Sequence, residues 1–342
     1  MYSRQYEFIN TDLRRTRAAV IGMGCSFVEG QGAFDDEMYE MYDFEVKRVG
    51  RPAALDVSVE ELRRISIRYD IPFDEQTQNV NWTVMEYRNA FVNVLCSKYL
   101  FHEYTPINLG LRGHGNRATI KEVYAHPAID WHLIDKLIVV WMPSGLERFD
   151  FVSDMWFDAA HWACLWPQPE NVPVNKPRYN MWKGYKEAIW SDKSEVLEQI
   201  MNACELQTWC QAHNADLIIT PAFDTRYTRE YFLSALRKNY HRTMELERQE
   251  NPYIPEWHNE NFRAEHLIDS FPWNNFFRPQ DFLTFSDFTL QQEGICGNNI
   301  WEWLGIGTPK RWMTPCCHPS AKAHDLYAKL LSEYLVNQQI VT

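Results

Sequence analysis

Short apolar segments that alternate with amphipathic segments constrain the fold of this chain more than any other feature. Apolar runs predict strands at residues 18–23, 105–109, 136–142 and 216–220. Apolar residues at helical spacing predict helices over residues 82–98 and 192–213, and a last helix begins near Pro319. Strands that alternate with helices imply an α/β fold, in which both faces of a parallel sheet are covered.

Three stretches interrupt this alternation, at about residues 35–80, 146–190 and 251–311. They hold many of the 14 tryptophans, among them Trp156, Trp162, Trp166, Trp182, Trp257 and Trp273. No repeat, low-complexity tract or linker divides the chain, so residues 1–342 are predicted to form one domain with three insertions. Ligands of open α/β sheets bind outside the carboxyl ends of the strands, where such insertions are expected to wall the site.

Composition excludes several classes of function. A net charge of −12 argues against non-specific nucleic-acid binding and against docking on an anionic membrane. Residues 1–17 have no apolar segment typical of a signal peptide, and the longest apolar run, 137–142, is too short to cross a membrane. We therefore expect a soluble, cytoplasmic protein whose eight cysteines are reduced thiols.

A serine follows the first predicted strand within a glycine-rich turn. Gly22 and Gly24 precede Ser26, and Gly30 comes four residues later. Such a turn would expose the Ser26 hydroxyl at the carboxyl end of the sheet, beside backbone N–H groups that can face an oxyanion. Two alternatives remain open. The segment is a partial dinucleotide fingerprint with Phe27 in place of the third glycine, or a tight turn that merely contains a serine.

The loop after the second predicted strand also carries residues suited to this chemistry. Asn108 and three glycines, Gly110, Gly113 and Gly115, follow the second predicted strand and form a loop rich in N–H groups. This loop either supplies a backbone N–H donor to an oxyanion or simply connects the strand to the next element.

A histidine precedes the last predicted helix. His318 stands directly before Pro319, which suits a general base on a short, defined loop. The alternative is a solvent-facing histidine at a helix entry.

Taken together, Gly-x-Ser-x-x-x-Gly, then Asn-x-Gly-x-x-Gly, then His-Pro before the last helix resemble the SGNH (GDSL-type) hydrolase family in order and spacing. The resemblance implies a three-layer α/β/α sandwich with about five mostly parallel strands, of flavodoxin-like type. It also implies an esterase that needs no cofactor. By this resemblance Ser26 is the nucleophile, His318 is its base, and the N–H groups of Ser26 and Gly113 form the oxyanion hole.

The chain departs from the family pattern at three places. Cys25 replaces the Asp of Gly-Asp-Ser, and Pro315 stands where the family has the Asp that orients the histidine. The third block lacks its Asn donor, so Ser144 is a candidate third oxyanion donor and Arg148 a candidate source of charge. Loss of one oxyanion donor costs roughly two to three decades of rate. Asn116 and Arg148 are the candidate substrate-binding residues.

The thiols near these segments leave a further alternative open. Cys25 could itself be the nucleophile, or Cys316, Cys317 and His114 could hold Zn²⁺, although their spacing fits no zinc signature. No metal is expected.

The leading hypothesis is an ester hydrolase that acts through a Ser26 acyl-enzyme on a small-molecule or glycan ester, with a lean towards O-acyl groups of a carbohydrate. The alternative hypothesis is a catalytically impaired SGNH-like binding or assembly protein. Because similar divergent chains occur in bacteriophage genomes, the resemblance also suggests a viral source, with assembly into an oligomer or a virion.

Overall fold

The strands of the protein are seen in a computed structural model, which describes residues 16–31, 33, 58–111, 113–125, 130–152, 162–165, 176–188, 191–237, 260–292 and 318–341. They are, in chain order, β1 (Ala18–Gly24), β2 (Phe73–Asp74), β3 (Asn79–Val80), β4 (Thr105–Gly110), β5 (Lys136–Met142), β6 (Phe149–Val152), β7 (Trp162–Leu165) and β8 (Ala215–Ile219).

The α-helices are α1 (Ser26–Glu29), α2 (Val59–Tyr69), α3 (Trp82–Asn89), α4 (Phe91–Val94), α5 (Asn116–Ala125), α6 (Lys176–Ala188), α7 (Asp192–Ala212), α8 (Arg229–Arg237), α9 (Glu260–Asp269), α10 (Phe285–Gln292) and α11 (Ala321–Asn337).

The central sheet is parallel and has the order β4-β1-β5-β8. This order corresponds to the first four strands of a flavodoxin-like sheet, in which the chain reverses direction beside β1. Of the roughly five strands expected, four are present in the described part of the chain. Beside β8, where a fifth strand would pair, a single parallel bridge joins Ile219 to Phe276.

The two inner strands, β1 and β5, are buried on both faces, which explains why both are continuous apolar runs. Ile21 and Met23 pack on one side of β1 against a core that includes helices α5, α7 and α8. Val20 packs on the opposite side with Tyr327 and Leu331 of α11. The molecule is therefore a three-layer α/β/α sandwich, as the alternation of strands and helices predicts.

The predicted helix over residues 82–98 is interrupted in the structure. Ala90 has an extended conformation, with ψ near 140°, and separates α3 from α4, which continues as one π-helical turn over Leu95–Tyr99. Two side chains replace the backbone bonds lost at the break. His324 Nδ1 accepts the Phe91 N–H at 3.1 Å, and Asn93 Nδ2 donates to the Tyr87 carbonyl. These tertiary contacts break the continuous helix that the spacing of apolar residues predicts.

Two of the other predicted helices are confirmed within one to three residues. Helix α7 opens with a capping box in which Ser191 and Ser194 bind each other's backbone N–H. Helix α11 begins at Ala321, with Ser320 rather than Pro319 at its start, because the Ser320 hydroxyl accepts the Ala323 N–H.

The three stretches predicted as insertions are partly described. The first forms α2 and the β2–β3 hairpin around a small core of its own, which includes Leu62 and Trp82. The second forms the antiparallel β6–β7 pair and α6. The third supplies α9 and α10 along the β8 side of the sheet, where Trp273 packs against Phe271 and Phe276. Trp273 is thus a packing residue, and Trp156, Trp166 and Trp257 lie outside the described residues.

Within the described ranges, none of the helices combines the length and the apolar character that a membrane crossing requires.

Candidate active site

The carboxyl ends of three neighbouring strands stop at the same level of the sheet. In the register of β1, Gly24 lies opposite Gly110 of β4 and Met142 of β5. Ser26 begins α1 only two residues after β1, and Cys25 between them is extended. The sequence prediction that this turn brings Ser26 to the carboxyl edge of the sheet agrees with this geometry.

Two glycines let α1 lie directly on the strand ends. A Cβ added at Gly24 would overlap the Met142 carbonyl oxygen, and Gly24 has a φ of +155°. A Cβ added at Gly110 would overlap the backbone nitrogen of Glu29. Because both obstacles are backbone atoms, no side-chain rearrangement could make room. These glycines hold the serine turn against β4 and β5.

Ser26 and His318 meet although they are 292 residues apart in the chain. The distance from Ser26 Oγ to His318 Nε2 is 2.7 Å, within hydrogen-bond range. Ser26 is only 6% exposed, whereas His318 is half-buried. In the tautomer that carries its proton on Nδ1, His318 accepts the serine hydroxyl proton on Nε2, as a general base does.

Most of the backbone N–H groups described at the serine turn bond to carbonyls within the turn. The Val28 and Glu29 amides both donate to the Cys25 carbonyl, at 3.1 and 3.2 Å. Ser26 stands at the first helical position, where a backbone N–H has no acceptor inside the helix. The Ser26 amide is therefore suited to receive an oxyanion.

The predicted second donor, Gly113, lies in the loop that leaves β4. This loop starts beside the serine turn, since the Leu111 amide donates to the Gly24 carbonyl at 2.8 Å. Gly113 has a φ of +71°, a left-handed conformation that favours glycine. The assignment of its N–H to an oxyanion hole remains a prediction.

A row of neighbouring aromatic rings, in which Phe27 is buried, connects His318 to Phe223. The ring of Phe27 lies 5.2 Å from the His318 ring and 5.7 Å from that of Phe223, between centroids. The guanidinium carbon of Arg148 lies 5.2 Å from the Phe223 ring centroid. Sequence analysis missed both phenylalanines. Their signal is position, because Phe27 follows Ser26 and Phe223 closely follows the carboxyl end of β8.

Arg148 joins the two loops that flank the end of β1. It belongs to the loop after β5, and its Nη1 donates to the carbonyl of His114 in the loop after β4, at 2.9 Å. In the sheet, β1 lies between these two strands. The predicted binding residue Arg148 therefore connects the loops that follow the two strands on either side of β1.

The structure gives Asn116 and Ser144 roles that differ from the predicted ones. Asn116 is 2% exposed, and its Nδ2 donates to Gln199 Oε1 and to Tyr227 Oη, both at 2.8 Å. Its Oδ1 accepts the Ser144 amide at 2.6 Å and the Ser144 hydroxyl at 3.1 Å. All four hydrogen-bonding positions of the Asn116 amide are used inside the protein. Asn116 is a structural residue, and Ser144 does not offer its hydroxyl hydrogen to an oxyanion.

A buried carboxylate supports the loop that leaves β4. Asp150 on β6 accepts the Gly115 amide at 2.8 Å and the Ala118 amide at 2.9 Å, and so caps the start of α5. Burial raises the pKa of Asp150 against the effect of these two amides. Burial also lowers the pKa of the nearby His114 imidazole, which Asp150 partly offsets. Burial therefore favours the neutral form of the His114 imidazole.

The thiol alternatives gain no support from the described residues. The Cys25 side chain is fully buried in the core on the α11 side of the sheet, so it does not face the site. Cys316 and Cys317 lie outside the described residues. Within the described ranges, no group of three or more Cys, His, Asp or Glu side chains could hold a metal ion.

A second histidine lies behind the site and remains neutral. His324 is fully buried, and burial, with a further contribution from His318, lowers its pKa from 6.5 to about 3. Its Nδ1 accepts the Phe91 N–H, so the ring carries its proton on Nε2. Its ring stacks on that of Phe91. His324 is thus a packing residue of the last helix.

We expect the titration of His324 to determine how the free energy of unfolding decreases at acid pH. Below its unfolded pKa of 6.5 only the unfolded chain takes up the proton, so stability is lost as pH falls towards the folded value of about 3. The loss approaches about 1.4 kcal/mol per pH unit, or roughly 2–3 kcal/mol between about pH 7.5 and 4.5. His324→Asn keeps an acceptor for the Phe91 N–H and cannot titrate. Urea unfolding at several pH values should give a flatter profile for His324→Asn than for the wild type; parallel profiles would contradict this role.

Comparison with known proteins assigns no family. No protein-family model matches the chain, and no curated protein matches it significantly. The site therefore has to be interpreted from its geometry.

Proposed function

We propose that the protein is a serine ester hydrolase in which Ser26 attacks the ester carbonyl and His318 is the general base. The observation that carries the proposal is the 2.7 Å distance between Ser26 Oγ and His318 Nε2 at the carboxyl edge of a parallel sheet. A serine hydroxyl is a weak nucleophile by itself, and an imidazole within hydrogen-bond reach activates it. The resemblance to SGNH hydrolases, noted from the motif order, points to the same pair.

The reaction follows from these groups. Ser26 Oγ bonds to the ester carbonyl carbon while its proton passes to His318 Nε2, and the carbonyl oxygen takes the negative charge. The Ser26 N–H, and by the resemblance the Gly113 N–H, donate to this oxyanion. When the intermediate collapses, the carbon–oxygen bond to the alcohol breaks, and His318 returns the proton to that alcohol. Water then attacks the acyl-enzyme by the same route and releases the acid.

One observation favours the alternative, a catalytically impaired protein that binds an ester or glycan. The Ser144 hydroxyl donates to Asn116, so the third oxyanion donor of the family is not replaced by Ser144. A site with two donors is expected to be slower by roughly two to three decades than one with three.

Labelling with a fluorophosphonate tests whether Ser26 is activated. The serine oxygen displaces fluoride from phosphorus while His318 takes the serine proton, which leaves one covalent phosphonyl group per chain. Mass spectrometry should locate this group on Ser26, and Ser26→Ala and His318→Ala should remain unlabelled under the same conditions. Cys25→Ala should label like the wild type, because the Cys25 side chain is buried away from the site. An unlabelled wild-type protein would favour the binding alternative.

A further inference from the structure

A cavity of about 450 Å³ opens at the amino-terminal end of the sheet. It lies where the chain enters β4 and where α11 ends, and its volume is in the range typical of small-molecule sites. The serine turn is at the carboxyl end of the same sheet. Since β4 has six residues, the cavity and the serine turn lie at opposite ends of a strand about 20 Å long.

Two exposed apolar side chains line this cavity. Phe101 is 80% exposed, and Val336 in the last turn of α11 is 52% exposed. The buried part of the lining includes Leu100 and Tyr104, which belong to the core on the α11 side of the sheet. A ligand with an apolar body would therefore remove both exposed side chains from water, which is favourable.

The backbone holds Phe101 in its exposed position at an energetic cost. Phe101 and His102 have φ of +50° and +62°, in the left-handed region that favours glycine. Hydrogen bonds fix this turn, because the Leu100 amide donates to the Leu95 carbonyl at 2.8 Å and the His102 amide to the Cys96 carbonyl at 2.9 Å. Strained backbone that presents an aromatic ring to solvent adds nothing to the core, and such strain is typical of functional positions.

The charge around the cavity is negative. Glu103 is exposed and forms no ion pair within the described part of the chain, and Glu333 lies 4.0 Å from Lys329. Burial raises the pKa of the Tyr104 hydroxyl, and the carboxylates of Glu103 and Asp216 raise it further. The last turn of α11 has no basic residue, and the partial negative charge of a helix C-terminus attracts cations.

The nearby lysine Lys98 does not neutralise this charge. Its Nζ donates to both carboxylate oxygens of Asp325, at 2.7 and 2.8 Å. The same Nζ lies 5.2 Å from the ring centroid of Tyr99, another residue of the cavity lining. Because Lys98 and Asp325 neutralise each other, the negative charge of Glu103 is left for a ligand.

We propose that this cavity binds a small organic ammonium ion with an apolar body. The apolar body contacts Phe101 and Val336, and the ammonium group pairs with the carboxylates of Glu103 and Glu333. A solvent-exposed ion pair, together with a contact between the cation and an aromatic ring, gives a preference of roughly three- to tenfold over a neutral ligand of the same shape. The inference does not depend on the proposed ester hydrolysis, because the two sites lie at opposite ends of the sheet.

Three probes of nearly the same shape test the class of ligand: phenylbutylamine, phenylbutanol and phenylbutanoate. In titrations followed by ligand-observed NMR, the wild type should bind the amine roughly three- to tenfold more tightly than the alcohol, and the carboxylate most weakly. Glu103→Gln should reduce the preference for the amine, and Glu103→Gln combined with Glu333→Gln should abolish it without changing alcohol binding. Glu230→Gln, which removes an exposed carboxylate from α8, should bind all three probes like the wild type.

Phe101→Gly separates binding from folding. Glycine adopts a positive φ without strain, so the urea midpoint should equal or exceed that of the wild type, whereas binding of the amine and the alcohol should weaken at least about fivefold. The matched control is Gln78→Gly, at another exposed residue with a φ of +49°, which should keep wild-type binding. No binding by the wild type, equal binding of amine and alcohol, or binding that Phe101→Gly leaves unchanged would each overturn the proposal. So would a preference for the amine that survives the loss of both carboxylates.

Discussion

Hydrolysis of p-nitrophenyl acetate is expected to fall by at least about a thousandfold in Ser26→Ala and in His318→Ala, and no further in the double variant. The reason is that the two side chains perform one proton transfer across a 2.7 Å contact, so removal of either ends the same step. Steady-state kcat/KM of the three variants measures this directly. Losses that multiply in the double variant would show that the residues act independently and would contradict the dyad.

Two control variants test whether the loss of activity is specific to Ser26 and His318. Cys25→Ala changes the neighbouring thiol, whose side chain is fully buried in the core, and should retain wild-type activity. Ser332→Ala removes an exposed hydroxyl on α11 that donates to the Lys329 carbonyl, and should also be silent. Circular dichroism and urea unfolding of each variant show whether a lost activity reflects a lost fold. If Cys25→Ala were the inactive variant, the thiol alternative would replace the serine mechanism.

The central sheet was predictable because its two inner strands, β1 and β5, are buried on both faces. A fully buried strand must be apolar throughout, so β1 and β5 stand out from the sequence without any knowledge of their neighbours. Their parallel order follows from the helices between them. The helix break at Ala90 was not predictable, since it depends on His324, which lies 233 residues from the amide that it accepts.

The contact between Ser26 and His318 was predictable for a different reason. Nucleophile and base in a parallel sheet come from strand ends and helix starts, and Ser26 and His318 each have a local signal of that kind. The surroundings carry no such signal. Nothing in the sequence indicates that Arg148 and Phe223 would meet beside Phe27, because three separate strand ends bring them together.

Asn116 shows most clearly where sequence reasoning about a site fails. An asparagine in a glycine-rich loop after a strand is typical of a ligand-binding residue. The residue type alone does not show whether its amide bonds to a ligand or to other groups of the protein. The structure shows that the amide is internal, because Gln199, Tyr227 and Ser144 occupy all of its donor and acceptor positions.

Asn116→Ala is therefore expected to lower the free energy of unfolding by about 3–5 kcal/mol. The substitution removes the acceptor of the Ser144 amide and the Nδ2 donor to Gln199 and Tyr227 in a buried site, where Tyr227 Oη keeps only its contacts with the Ser144 carbonyl and Gln199 Oε1. Asn116→Asp, which has the same shape, should also be destabilising, because an oxygen would replace the Nδ2 donor opposite Gln199 Oε1 and Tyr227 Oη. Urea unfolding of both variants measures the effect.

A second buried asparagine provides the matched control. Asn202 on α7 is 5% exposed, and its Nδ2 finds no hydrogen-bond partner within the described part of the chain. Asn202→Ala removes a similar volume but breaks no bond at that nitrogen, so it should cost clearly less than Asn116→Ala. Equal losses would mean that packing, and not the hydrogen-bond network, explains the effect at Asn116. A large loss at Asn116 alone would establish that this hydrogen-bond network stabilises the loop after β5.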